Sequence, residues 1–414
     1  MHQNNIYTKQ TCILMNQLLI LSIDIVQFLI VLGLFLPIII LFLECVTTLF
    51  SIPHQIQNNL GFRPSIAVLV PAHNEVDAIN ATLDTLLPQL TPEDRLVVIA
   101  DNCSDETATV ARQPGVTVIE RQDSEHKGKG YALDYALNFL ETNPPDVVIN
   151  IDADCIVNPE TVEKIANLAA ATQRPVQSQY LMVQPSDPNP KDTISALAVK
   201  VKNLVRPLGL QQLSLPCLLT GSGMAFPWSV IRTVSLANSK TVDDMQLGLD
   251  LAIAGYPPIY CQDARVTGRL MEKQAAKSQR ARWEHGHIEV SLTQIPRLLK
   301  ESIIQRRFEL LAIALDLCIP PLSLLVMIWA ITMIGGVFVG ILTGTWILGI
   351  LLLIEGLMLA TSIFVAWAKF GRDDISALTL LAIPFYVISK IALYFAFLVK
   401  PQTRWIRTER DVIN

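Results

Sequence analysis

Residues 147–160 read "VVINIDADCIVNPE". The run from Val147 to Ile151 stops at two carboxylates one residue apart, Asp152 and Asp154, and a helix-like segment follows Pro159. A short apolar run bounded by turn signals reads as a buried strand. Two like charges at its end are costly unless a cation or a hydrogen-bond donor lies beside them.

The chain upstream alternates regularly. "SIAVLVP" (65–71), "RLVVIA" (95–100), "VTVIE" (116–120) and "DVVINI" (146–151) read as strands. Between them, "NEVDAINATLDTLL" (74–87) reads as a helix capped by Asn74, "SDETATVARQ" (104–113) as one capped by Ser104, and "GYALDYALNFLE" (130–141) as a third. Strand-helix alternation with near-continuous apolar strands predicts an α/β fold with a mostly parallel sheet covered on both faces. Ligands of such sheets bind beyond the carboxyl ends of the strands. That rule gathers four loops: "AHNE" (72–75), "DNCSDE" (101–106), "DSEHKGKG" (123–130) and "DADC" (152–155).

These loops bring together Asp101, Asp105, Asp152 and Asp154 with Lys127 and Lys129, the lysines separated by Gly128 and followed by Gly130. Glycine lets the backbone approach a phosphate closely. Carboxylates beside a Lys/Gly loop suit a nucleoside diphosphate with a divalent cation. Mg²⁺ and Mn²⁺ are both held by a few carboxylates plus substrate phosphates. A strand can therefore end on acids because a metal neutralises them.

The composition points to a membrane. The 414 residues are 51% hydrophobic with a net charge of −5, and mean hydropathy is +0.40. No long basic run is present, which argues against a nucleic-acid partner. The seven cysteines form no CxxC and no Cys/His cluster, as expected of reduced thiols in a cytosol-facing protein. Residues 25–43 contain no charge and match the length of an anchor helix. Two more spans are expected at about 317–342 and 345–368. Residues 375–400 are apolar but interrupted by Pro384 and Lys390. A lysine near the midpoint is costly in lipid, so an interfacial or re-entrant segment is expected there. Basic residues flank the spans at Arg297, Lys300, Arg306 and Arg307, and at Lys369, Arg372 and Lys400, whereas the turn at 342–345 has none. The positive-inside rule then puts the middle of the chain in the cytosol. The expected division is 1–51, an N-terminal tail and span; 52–305, the cytosolic catalytic domain; and 306–414, the C-terminal spans, the interfacial segment and a basic tail. Arg404, Trp405 and Arg407 of that tail are expected to anchor on anionic lipid.

"PAHNE", "ADNCSDET", "HKGKGYAL", "DADC", "VDDMQLGLDLAIAG" and "QRARW" occur in an order that resembles the family 2 glycosyltransferases, and especially their membrane-embedded branch of cellulose, hyaluronan and poly-N-acetylglucosamine synthases. The resemblance covers 64 to about 290. It implies a GT-A nucleotide-sugar-binding domain flanked by transmembrane helices, in the cell or inner membrane. It also implies roles. Asp101 would bond the uracil of a UDP-sugar, Ala72 and Glu75 would line the nucleoside, and Lys127, Lys129 and Asp152 would meet the nucleotide-sugar. Asp154, with Asp152, would bind the metal. Asp244 would be the catalytic base, with Asp243 beside it where the family more often has glutamate. Arg282 would meet the diphosphate. Gln279 and Trp283 would contact the acceptor, as would Gly221 and Ser222 of the Gly-rich "TGSGMAF" (220–226), read as flexible.

Chemistry supports these roles independently: a carboxylate accepts the acceptor's hydroxyl proton, while a metal and cations hold the charge developing on the leaving diphosphate. Asp244 also suits a helix N-cap, and Trp283 suits a core position. His285 and His287 lack a third partner at metal spacing. Inverting transfer to a growing β-linked polysaccharide is expected, with an oligomer or export subunits to complete a channel. A lipid-linked acceptor receiving one sugar is the alternative. A nucleotidyltransferase would share the metal site without "DDMQL" or "QRARW".

Overall fold

Val147–Asn150 is a fully buried strand at the centre of an eight-stranded sheet. The computed structural model describes residues 2–50, 62–184, 189–237, 242–269 and 273–399; the basic tail with Arg404, Trp405 and Arg407 lies outside them.

A long helix, α1 (His2–Thr47), comes first. The alternating region then runs β1 (Ile66–Ala72), α2 (Ile79–Leu86), β2 (Arg95–Asp101), α3 (Thr107–Ala111), β3 (Val116–Arg121), α4 (Lys129–Leu140) and β4 (Val147–Asn150). These four strands pair in parallel, in the order β3-β2-β1-β4. Both faces are covered. Leu83, Leu86, Ile165 and Ala169 pack on one side, with Leu133, Leu137 and Leu140 on the other. The remaining elements are β5 (Ile156–Val157), α5 (Thr161–Thr172), β6 (Val176–Val183), α6 (Pro190–Lys200), a π-helical turn (Val201–Val205), α7 (Arg206–Gln212), β7 (Met224–Pro227), α8 (Trp228–Ile231), α9 (Asp243–Ile253) and β8 (Ile259–Arg269). β7 runs antiparallel between β4 and β6, which corrects the flexible reading of "TGSGMAF". Its four residues are buried, so the glycines end in the middle of the sheet.

Both expected caps are replaced by other structure. α2 starts at Ile79 without a side-chain cap. Asn74 instead adopts φ +55°, a left-handed turn that asparagine tolerates, and its Oδ1 receives the Ser104 amide at 2.7 Å. α3 starts at Thr107, whose amide donates to Asp105 at 3.0 Å. The two residues tie the first loop to the second.

After β8 come α10 (Lys273–Ile304), α11 (Phe308–Leu317), α12 (Leu322–Thr343) and α13 (Ile347–Phe370). Residues 377–399 are a 3₁₀ turn followed by α14 (Ile383–Ser389) and α15 (Ile391–Val399), broken at Lys390. Among the described residues, four stretches are long and apolar enough to cross a membrane: Asp24–Phe50, Leu322–Thr343, Ile347–Phe370 and Ala377–Val399.

α1 is bound firmly to the domain. Leu34, Ile38, Leu41 and Cys45 pack with Val201, Val205, Ile319 and Leu359. At Gly209 of α7 a Cβ would stand 2.0 Å from the Glu44 carbonyl oxygen, so only glycine permits this approach. Beside it the Arg206 guanidinium donates to Glu44 at 3.0 Å and to Asp316 of α11, all three side chains buried. Lys390 is likewise paired, with Glu284 of α10. The Tyr394 hydroxyl contacts both Glu284 and Ser323 at the start of α12.

Candidate active site

The carboxyl ends of the parallel strands bring the predicted loops together. Lys129 is the first residue of α4, and its ammonium donates to Asp152 and, at 2.5 Å, to the Gly221 carbonyl. The Asn150 amide donates to the same carbonyl at 3.0 Å. Gly221 has φ +107°, a conformation that glycine adopts freely. Burial would lower the Lys129 ammonium, but Asp152, Asp243 and Asp244 hold it above its ordinary value. Burial pushes the Asp152 carboxyl up, and Lys129 offsets this only in part.

Ser222 does not face the cleft. It is fully buried, and its hydroxyl receives the Asp152 amide at 3.0 Å. The expectation that it touches an acceptor is corrected: the residue holds the DxD turn, because a buried amide must find an acceptor. Asp101 is buried at the end of β2 and accepts Arg121 at 2.7 Å. Arg121 also bonds Asp123 at 3.0 Å and the His126 carbonyl at 2.7 Å, and so fastens the Lys/Gly loop. No local pattern marks this arginine, since the contact depends on β2–β3 register.

Asp152, Asp154 and Cys155 present ligand atoms within 4.8 Å of one another. The Cys155 thiol is pushed well up by burial and stays protonated. The usable donors are thus carboxylate oxygens, which fit a hard divalent cation.

Asp243 and Asp244 open α9. Asp244 is not a cap: Val242 holds that position, and the Asp244 amide donates to Asp243 at 3.1 Å. The Asp244 carboxylate lies against Gly221, where an added Cβ would come within 3.2 Å of its Oδ2. Burial, then the charges of Asp244 and Asp152, push Asp243 up to about 6 against the pull of Lys129.

Asp101, Lys129, Asp152, Asp154, Gly221, Asp243 and Asp244 line one cleft of about 350 Å³. Ala72, Glu75, Asp101 and Lys127 form its sheet end, and Gln279, Arg282 and Trp283 of α10 line it from the opposite side. Gln279 is buried, with its Oε1 unbonded among the described residues. The cleft continues to Leu41 of α1, to Ile319, Pro320 and Leu322 around the start of α12, and to Tyr386 of α14. His287 lies in the wall with a ring nitrogen 3.1 Å from the Ile319 carbonyl, and His285 meets the Leu393 carbonyl. Both histidines serve packing.

A family model described as glycosyltransferase like family 2 matches residues 64–286, over half of the chain, and the protein belongs to that family. "Probable glycosyltransferase YdaM" of Bacillus subtilis (strain 168) is 35% identical over 118 residues, 27% of this chain and 26% of that protein. The 4,4'-diaponeurosporenoate glycosyltransferase of Staphylococcus aureus (strain USA300) is 30% identical over 131 residues, 30% of this chain and 34% of that protein. The match thus spans about a quarter to a third of these relatives' length. Among solved structures, the mannosyltransferase PcManGT from Pyrobaculum calidifontis, in complex with GDP-Man and Mn²⁺, is similar at a TM-score of 0.53 and 18% identity, covering 92% of this chain and all of that one. The likeness bears out the GT-A fold.

Proposed function

We propose that the protein is a membrane-bound, inverting glycosyltransferase. It moves a sugar from a nucleotide-sugar, a UDP-sugar by the family's pattern, to a lipid-linked acceptor delivered from the bilayer. The observation that carries this reading is the single cleft running from the nucleotide loops to Leu41, Leu322 and Tyr386. A soluble acceptor has no need of a site walled by candidate span helices. The S. aureus relatives, named for a lipid-like acceptor, support the same choice.

Ala72, Glu75 and Asp101 hold the nucleoside, with Lys127 and Arg282 at the diphosphate. Asp154 and Asp152 hold Mg²⁺ or Mn²⁺, which when bound neutralises charge on the diphosphate. Lys129 fixes Asp152 against Gly221 and adds positive charge. Asp244, lying over Gly221, takes the acceptor's hydroxyl proton. Asp243 shares the site and accepts the Asp244 amide. Trp283 offers a flat face to the acceptor sugar, and Gln279 an acceptor oxygen unbonded among the described residues.

The catalytic domain faces the cytosol, with the spans in the cell membrane. Residues 375–399 lie along the interface, because their contacts along the segment involve α6, α10 and the start of α12. Examples are Lys390 to Glu284 and Tyr394 to Ser323.

A growing β-linked polysaccharide is the second reading, favoured by Gln279, Arg282 and Trp283 lining the cleft together. A second copy or export subunits would then complete the channel. Purified protein in detergent, supplied with a panel of nucleotide-sugars and either lipid-linked or oligosaccharide acceptors, separates the readings. Release of nucleoside diphosphate with a β-linked lipid product is expected. Chain extension of the oligosaccharides alone would select the polysaccharide, and release of pyrophosphate would overturn both.

A further inference from the structure

The helix that follows the acceptor side of the sheet is interrupted where it meets the cleft. α6 gives way to the π-helical turn Val201–Val205 before α7 begins. Such turns insert one residue and are frequent at functional sites. Here the turn sends neighbouring residues to different tasks. Asn203 turns inward and donates to the Tyr180 carbonyl at 2.9 Å. Val201 and Val205 pack with Leu34, Ile38, Leu41 and Ile319 on the membrane-facing side. Lys202 enters the cleft.

Lys202 differs from the paired cations of the cleft, and from Lys127, which is exposed. Lys129 is paired with Asp152, Arg206 with Glu44 and Asp316, and Arg280 with Asp192 at 3.3 Å. The Lys202 ammonium makes no hydrogen bond or ion pair among the described residues. Burial pulls it below its ordinary value. Asp244, Asp316 and Glu284 act against that shift and Arg206 adds to it. Asp316 is already engaged by Arg206, and Glu284 by Lys390 and Tyr394. Asp244 is reserved by its proposed role at the hydroxyl. Lys202 is half-buried in the cleft wall and its ammonium is unpaired among the described residues, so an arriving anion gains a charge-assisted hydrogen bond there.

We infer that Lys202 binds a phosphate group of the acceptor, placed between the acceptor's sugar and its lipid chain. The inference rests on the lipid-acceptor reading above. Lys202 lies within electrostatic reach of Asp244, and its chain neighbour Val201 packs with Leu41 and Ile319, so such a molecule would set a sugar hydroxyl at Asp244, its phosphate at Lys202 and its apolar chain against Leu41, Ile319 and Leu322. In the transfer the donor's C1–oxygen bond to the diphosphate breaks and its electron pair leaves with the diphosphate. The acceptor oxygen bonds C1, and its proton passes to Asp244. The acceptor's phosphate is unchanged.

The test uses full-length protein in a nonionic detergent without sugar groups. Equilibrium binding is measured for hexadecyl phosphate, hexadecanol and inorganic phosphate, with UDP binding as the check on folding. Hexadecyl phosphate is expected to bind the wild type roughly tenfold or more tightly than hexadecanol, the size of one charge-assisted hydrogen bond. Lys202→Met should lose that preference and Lys202→Arg should keep most of it. Inorganic phosphate at equal concentration should not compete. Equal binding of the two amphiphiles by the wild type overturns the role of Lys202 while leaving the lipid acceptor standing, and needs no variant. Retained preference in a Lys202→Met variant that still binds UDP overturns it as well. Effective competition by inorganic phosphate would assign the site to a soluble anion and sink the proposal. UDP binding without binding of either amphiphile would remove the lipid-acceptor reading itself, and the inference with it.

Discussion

The two walls of the cleft are held by different means. On the sheet side Arg121 secures Asp101, Lys129 secures Asp152, and Ser222 secures the turn that carries them. Every one of these contacts is polar and lies at a strand end. On the membrane side α10 and the π-helical turn are held by packing and by buried ion pairs, Glu284 with Lys390 and Arg206 with its two acids. Lys202 and the Gln279 oxygen are left without partners there among the described residues. On the proposed function, the wall whose groups are already bonded would be preorganised for one constant ligand, the nucleotide part of the donor, and the wall with spare bonding capacity would be the one that the acceptor completes.

This contrast can be broken from either side. Removing the metal should have the largest effect. Chelation, or Asp154→Ala, should bring transfer to background in a nucleoside-diphosphate release assay, and Mn²⁺ or Mg²⁺ should restore only the chelated wild type. Substantial turnover without metal would remove the DxD from the site. Next in size is Asp244→Asn, expected to lower transfer by roughly a hundredfold or more, the loss typical of a general base. Nucleotide binding should survive, and Asp243→Asn should be milder. Near-normal turnover in Asp244→Asn would move the base elsewhere. Trp283→Ala should then raise the acceptor KM about tenfold with little change for the donor, and Phe should rescue part of it. Equal damage to both substrates would mean that the walls are not independent.

The smallest effect is on stability. Asp243 is pushed up to about 6 from an ordinary 3.8. The folded state therefore holds this proton more tightly than the unfolded chain, a contribution complete below about pH 4 and lost as pH rises through about 6. Asp152 is shifted in the same direction. Thermal melts of the metal-free protein should show the midpoint falling across that window, and Asp243→Asn should flatten the fall. An unchanged slope in the variant would place the proton elsewhere.

The sheet side was also the more legible in the sequence. Its strands are unbroken apolar runs, and in a parallel sheet that pattern alone brings their end loops together. The caps at Asn74 and Ser104 were misread because local sequence cannot tell a cap from a clasp between loops. β7 was hidden by the glycines before it, although its place beside β4 is fixed by residues 74 to 80 positions away. Ser222 looked like an acceptor contact for the same reason. On the membrane side, "QRARW" and the break at Lys390 were visible. What Lys390 pairs with, and the direction in which Lys202 points, depend on helix packing that no local period encodes.

The Arg206 triad has a consequence for how the chain is made. Glu44, in the first helix, stands 162 residues before Arg206, and Asp316, in the last quarter of the chain, 110 residues after it. Synthesis runs from the N-terminus, and domains form in that order. Glu44 and Arg206 are therefore both in place long before Asp316 leaves the ribosome. A buried charge left without its full complement costs about 3–5 kcal/mol. A catalytic domain cut away from its flanking helices would carry Arg206 with neither acid. The nascent chain thus reaches its final rigidity only after the segment leading into the second span has been made, which ties completion of the enzyme to the membrane it works on.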